Sequence, residues 1–352
     1  NYSGSIQLSC SAKTAGTWQP FIIVFYVKSP SSTKMNLARS FTSSFITNTI
    51  KYRNINESCT KLLTQLRSKS VQAIAGSGAV DDGKTDAPQQ ASEERTTHFG
   101  FQKVKESEKD QKVHKVFEDV ASSYDLMNDV MSVGIHRIWK DVFMDRLAPM
   151  HGTRLLDMAG GTGDIAFRYI RQLAAKKNKL QRHSYVTISD INQHMLDVGR
   201  ERARLQMLTE EHLPDISINW QQADAEQLPF KNDSFNAYTI AFGIRNCTHI
   251  DKVLREAYRV LEPGGRFMCL EFSHLTNGVM QWMYDQYSFQ VIPPMGQILA
   301  GQWQPYQYLV ESIRQFPKQE EFKKMIEDAG FELVYYENLT FGIVSIHSGF
   351  KL

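Results

Sequence analysis

The chain has 352 residues, 42% of them hydrophobic and 22% charged, enough to bury a full core and to fill one large domain with extensions, or two domains. Its four cysteines, Cys10, Cys59, Cys247 and Cys269, show neither paired nor metal-type spacing, which points to a reducing compartment and gives no metal site. The net charge of +2 conceals an asymmetry: residues 1–80 carry nine Lys/Arg and one acid, Glu57, so the body is acidic, a targeting pattern rather than a nucleic-acid footprint.

Residues 1–94 read as a region outside the fold. From Met35, a candidate initiator, Met35-Asn36-Leu37-Ala38-Arg39-Ser40-Phe41 continues through Lys51, Arg53, Lys61, Arg67 and Lys69 with a single acid and many hydroxyls. That is the composition of a mitochondrial transit peptide, with a generic basic tail as the alternative. The Gly-, Ser-, Asp- and Gln-rich stretch 76–94 reads as a solvated linker. The apolar run Phe21 to Val27 is far shorter than the ~20 residues that span a bilayer.

Residues 95–150 read as a helical lid. Val113, Val116, Phe117, Val120 and Tyr124 recur at helical spacing, as do Ile135, Ile138, Trp139, Val142, Phe143 and Leu147. The stretch from Tyr124 to Trp139 is too rich in polar side chains to be only a core stripe. It suits a cover over a ligand mouth, and packing of a helix pair is the alternative for His136 and Trp139.

Residues 151–352 alternate strands and helices, beginning with Arg154-Leu155-Leu156-Asp157-Met158-Ala159-Gly160-Gly161-Thr162-Gly163-Asp164. An apolar run, an acid and a glycine cluster ahead of a helical pattern predict a buried parallel strand turning tightly into a helix, a turn that binds nucleotide-like ligands. Gly161 to Ala166 also fits the loose G-x-G-x-x-A form of a dinucleotide fingerprint. Asp157 favours the other reading: an acid there repels a pyrophosphate and suits a ligand with an ammonium group, such as S-adenosylmethionine. Asp190 ends the second strand and is placed to accept ribose hydroxyls, or to cap the next helix. Asp224 and the backbone around Ala225, after a strand over 216–221, are placed to bond an adenine edge, with an ordinary turn acid as the alternative. Ala237 to Phe242 reads as the fourth strand, and Gly243-Ile244-Arg245-Asn246 should face the transferred group. Pro263-Gly264-Gly265 turns into the fifth strand, 267–272. The stretch from about 276 to 316, apolar on more than one helical face and broken at Pro293-Pro294, suits a long hydrophobic tail or a membrane surface, with core packing as the alternative. A helix near 318–330 and strands at 331–336 and 341–347 close the chain.

Tyr124-Asp125-Leu126-Met127-Asn128-Asp129-Val130-Met131-Ser132-Val133-Gly134-Ile135-His136-Arg137-Ile138-Trp139 closely resembles the signature of the ubiquinone/menaquinone-biosynthesis C-methyltransferases. Thr97 to Phe101 and the loop Ala159 to Asp164 look like that family's too, the loop carrying Ala159 where most methyltransferases have glycine. The resemblance implies a Rossmann-like class I α/β fold, a seven-stranded, mostly parallel sheet under a helical lid. It implies C-methylation of a polyprenylated methoxy-benzoquinol in ubiquinone biosynthesis, with S-adenosylmethionine as donor and no metal. Asp157, Gly161, Thr162, Gly163, Asp190, Asp224 and Ala225 would hold the donor, and Arg245, Asn246 and Tyr124 would serve the reaction. Ala241 stands where the family has a donor-contacting Ser. The implied setting is peripheral, on the matrix face of the mitochondrial inner membrane, in a multi-subunit complex and without nucleic acid. A homodimer, a naphthoquinol acceptor and a donor-binding scaffold with little turnover stay open.

Overall fold

The structure is a computed structural model that describes residues 95–120, 128–129, 131–132, 134–178 and 180–352. The transit-like head, the linker and Tyr124 lie outside the described residues. The segment expected to be helical from residue 95 instead opens on a hairpin, β1 (Thr96–Phe99) and β2 (Gln102–Lys105), before helix α1 (Glu106–Val120). Its apolar anchor is Phe99, whose ring stacks 4.2 Å from that of Tyr308.

Helix α2 (Ile135–Leu147) leads into the alternating body: β3 (Arg154–Met158), α3 (Asp164–Ala174), β4 (Ser184–Asp190), α4 (Gln193–Leu205), β5 (Ile216–Gln222) and β6 (Phe235–Ala241). A short 3-10 turn, Ile244–Asn246, precedes α5 (Ile250–Val260) and β7 (Leu261–Phe272). Helices α6 (Gly278–Gln290), α7 (Ile292–Ala300) and α8 (Gln304–Gln315) follow, then α9 (Gln319–Asp328), β8 (Glu332–Leu339) and β9 (Val344–Phe350). The sheet runs β5-β4-β3-β6-β7-β9-β8. β3 to β7 pair in parallel and β9 runs antiparallel between β7 and β8.

Strand periodicity divides the core. Leu155, Met268 and Leu270 face α2, α3 and α4 with Phe143, Ile170 and Leu196, whereas Leu156, Phe267 and Cys269 face α5 and α9 with Leu254, Ala257, Phe322 and Ile326. Successive residues point to opposite faces, and each fully buried aliphatic or aromatic side chain contributes roughly 1.5–3 kcal/mol. The strand order reverses between β3 and β6, so the crevice at the carboxyl ends of β3, β4 and β6 is where such a sheet takes a ligand.

Two further sequence expectations shift. On α2, Ile138 is 60% exposed, and the buried stripe is His136, Trp139, Lys140, Phe143, Met144 and Leu147. Counting only apolar positions rotated the helix, because two polar residues occupy the inner face. The break expected at Pro293-Pro294 is present: α6 ends at Gln290 and the two prolines sit in the first turn of α7, where proline's fixed φ and missing N–H are suited. Phe331 packs into the core ahead of β8, and the last two strands run on to Leu339 and Phe350 around a 3-10 turn at Thr340–Gly342.

Candidate functional site

At the carboxyl end of β3 the chain meets the glycine loop. Gly163 caps α3 at φ 87, a left-handed conformation that costs glycine little, and a Cβ there would lie 2.8 Å from the Phe167 ring. The turn aims the first backbone N–H groups of α3 into a cleft enclosing about 1210 Å³ of space, its open mouth included.

Asp157 forms the floor of this cleft and is 1% exposed. Register sets Thr239 of β6 opposite it, and the Thr239 hydroxyl donates to Asp157 Oδ1 at 2.8 Å. Oδ2 is enclosed and has no hydrogen-bond partner. Burial pushes the carboxyl up to about 7, against the opposing pull of the Thr239 hydroxyl and of the nearby Ala166 N–H. A buried acid with an orphan oxygen costs stability unless a cation completes it, and a ligand ammonium has the right chemistry.

Asp190 ends β4 and borders the same cleft. Its Oδ2 accepts from Gly161 N and its Oδ1 from Asn192 N, both at 2.9 Å, so it anchors the glycine loop and the start of α4. Each carboxylate oxygen has a second lone pair for a ribose hydroxyl, so capping and ligand binding are compatible. Burial raises its pKa, and these N–H donors oppose that shift. The Thr162 hydroxyl accepts from Arg202, which leaves its own proton to donate. Asp224 Oδ1 accepts from Glu226 N at 2.8 Å, closing a tight turn that presents Asp224 and buried Ala225 to the cleft. The donor-holding residues expected from the sequence other than Gly163 thus line one cavity, and Gly163 shapes its wall as the α3 cap. Ala241 lines it as well and offers only a methyl group.

The tetrad after β6 divides. Asn246 lines the cleft, and its Oδ1 accepts from the Tyr308 hydroxyl of α8 at 3.1 Å. Arg245 is not among the cleft-lining residues. Its side chain is 4% exposed, with Nη1 2.8 Å from Oε1 of Glu271, itself 1% exposed, and it also donates to the Phe242 carbonyl. Its guanidinium lies 5.4 Å from the Phe272 ring. Burial raises the pKa of Glu271 while Arg245 lowers it. Gly243 is required by close approach, because a Cβ there would come 2.4 Å from the Cβ of Ala159, which itself sits at φ 52.

The residues expected to form a lid mostly pack. Trp139 donates to Thr340 Oγ1 at 2.7 Å and meets Phe272 edge to face, and His136 Nδ1 lies 2.8 Å from Ser132 Oγ. Sequence reasoning passed over Thr239, Glu271 and Lys140, a cleft-lining residue whose Nζ is 2.6 Å from Asp164 Oδ2. Lys140 left one signal: a charge at the i+4 position from His136, on the inner stripe of α2.

A family model described as the ubiE/COQ5 methyltransferase family matches residues 105–351. The mitochondrial 2-methoxy-6-polyprenyl-1,4-benzoquinol methylase of Drosophila melanogaster is 75% identical over 259 residues, covering 74% of this chain and 86% of that one. The protein of the same name from Bos taurus is 54% identical over 316 residues, covering 82% and 92%, and that from Homo sapiens is 54% identical over 282 residues, covering 73% and 84%. With the match spanning lid, glycine loop and every strand of the large sheet, the chain belongs to the ubiE/COQ5 methyltransferase family.

Proposed function

We propose that the chain methylates a ring carbon of 2-methoxy-6-polyprenyl-1,4-benzoquinol, the compound in its relatives' name, with S-adenosylmethionine as donor. The observation that carries this reading is Asn246, which faces the donor cleft and is bonded to Tyr308 of the charge-poor α6–α8 unit. Donor side and apolar side meet at one residue.

When bound, S-adenosylmethionine supplies a methyl electrophile on a sulfonium, open to in-line attack by a ring carbon. Asp157 completes its unpaired oxygen with the donor's ammonium, and Asp190 and the Asp224-Ala225 turn take the ribose and adenine. The ring carbon is a better nucleophile when the adjacent hydroxyl is ionised, and a phenol titrates near ~10, so the acceptor side must favour the phenolate. Asn246 is the polar side chain placed to orient that hydroxyl or a water that takes its proton. Arg245 stays charged, but its pairing with Glu271 turns a net charge into a local dipole. It acts as a positioning residue, fixing residues 242–246 through the Phe242 carbonyl and Glu271. The family signature also implies a role in the reaction for Tyr124, which lies outside the described residues.

Between Glu271 and Glu311 the only acidic or basic side chain apart from His274 is Asp285, and Arg314 pairs with it. Trp282 is 63% exposed and Ile298 80%, with Val279, Met283 and Trp303 also exposed. Such a surface suits a polyprenyl tail and a bilayer interface. No helix among the described residues is long and apolar enough to cross a membrane. The setting proposed with that exposed apolar surface is peripheral, on the matrix face of the mitochondrial inner membrane and within a ubiquinone-biosynthesis complex. A competition assay with methoxy-benzoquinol and naphthoquinol acceptors of equal tail length tests the ring assignment. Preference for the benzoquinol by tenfold or more in kcat/KM is expected, and equal use or naphthoquinol preference refutes it.

A further inference from the structure

The described residues lining the donor cleft include five carboxylates, Asp157, Asp164, Asp190, Asp224 and Glu226, and one side chain that is always cationic at neutral pH, Lys140. Lys140 comes from the lid helix α2, is 6% exposed, and places Nζ 2.6 Å from Asp164 Oδ2. An ammonium has three protons to donate, and Asp164 takes one. Asp164 itself opens α3, beside the backbone N–H groups that would otherwise be the natural seat of a ligand carboxylate. A second carboxylate arriving there meets a like charge unless a cation lies between the two. Asp164 is anionic, held at about 2 by Lys140, Arg168 and Arg202 against the penalty of burial.

We propose that Lys140 is the counter-ion of the methyl donor's α-carboxylate, shared with Asp164, so that the lid helix reads the amino-acid end of the donor. This rests on the S-adenosylmethionine reading and extends it. The ammonium of that end falls to Asp157 on the sheet and the carboxylate to Lys140 on the lid, so an amino acid in zwitterionic form bridges the two layers. A donor analogue without the carboxylate loses its hold on α2.

Calorimetry on the full chain with three probes tests this: S-adenosylhomocysteine, its decarboxylated analogue and 5′-methylthioadenosine. The wild-type protein should bind S-adenosylhomocysteine about 10- to 100-fold more tightly than the decarboxylated analogue, the range of a charge-assisted hydrogen bond. Lys140→Met should reduce that ratio to about threefold or less while leaving 5′-methylthioadenosine affinity within about twofold. Because Lys140→Met strands buried Asp164, the pair Lys140→Met with Asp164→Asn is measured too, and the ratio should again collapse. A ratio that persists in a folded variant, or a wild-type protein that does not distinguish the two ligands, overturns the assignment. Failure of all three probes to bind the wild-type protein would instead bring down the donor reading beneath it.

Discussion

Asp157 is an acid whose burial is useful only when something arrives to complete it. With its carboxyl pushed up to about 7, it is protonated in mildly acidic solution, and an ammonium ligand must bind the ionised form. S-adenosylhomocysteine affinity should therefore fall about tenfold per pH unit below 7, as followed by calorimetry between pH 5.5 and 8. Asp157→Asn should weaken binding about 10- to 100-fold at pH 8 and remove that acid limb. For the free protein the raised pKa means stability present at low pH is lost as pH rises from about 4 through about 7. The Arg245–Glu271 pair yields a second expectation. Arg245→Ala strands a buried carboxylate and should cost about 3–5 kcal/mol in denaturant unfolding. Arg245→Met combined with Glu271→Leu should restore most of that stability yet leave kcat at least tenfold low, with donor KM unchanged, if the pair positions Asn246. Wild-type turnover in the double variant would make the pair merely structural. Asp157, Asp190, Asp224 and the glycines were legible in sequence because each lies at or near a strand's end or at a helix's start, where chain order alone decides position. Thr239 and Glu271 were not, because their partners are chosen by strand pairing and by a turn from elsewhere in the chain.

At the scale of elements, the strands were readable from their apolar runs, as at Leu155-Leu156 of β3 and Phe267 to Leu270 of β7. Reading failed where burial is polar: α2 hides His136 and Lys140, and its rotation was misjudged for that reason. β9 hides His347 in the same way. Its Nε2 bonds the Gln319 carbonyl at 3.0 Å, its Nδ1 is enclosed without a partner, and burial pulls its pKa down to about 4. The folded state thus refuses a proton that the unfolded chain accepts, and stability is lost as pH falls from about 6.5 to about 4, by about 3 kcal/mol. Thermal unfolding across that range should show the slope, and His347→Leu should flatten it. The loop pair at Ala159 and Gly243 gives a steric counterpart. Gly243→Ala drives two Cβ atoms to 2.4 Å and should displace Asn246, lowering kcat by tenfold or more with little loss of S-adenosylhomocysteine affinity. Crystallography and single-turnover kinetics of that variant would check both halves.

The whole molecule sets an acidic cleft for a cationic cofactor beside a charge-poor helical unit that leaves tryptophan and isoleucine in water. Burying those side chains in a bilayer interface or against an isoprenoid tail contributes roughly 1.5–3 kcal/mol apiece. Trp282→Ser with Ile298→Ser should therefore weaken co-sedimentation with cardiolipin-containing vesicles by tenfold or more while leaving S-adenosylhomocysteine affinity untouched. The scarcity of charge in this unit was plain in sequence. Which of its residues stay exposed was not, since Ile292, Tyr306 and Val310 turn inward to hold the three helices together. The most direct measurement of the proposed chemistry supplies the protein with methyl-labelled S-adenosylmethionine and a short-tailed methoxy-benzoquinol kept reduced, and locates the label in the product by carbon NMR. Label on a ring carbon is the expected result; label on a quinol oxygen, or none despite measured donor binding, would contradict it.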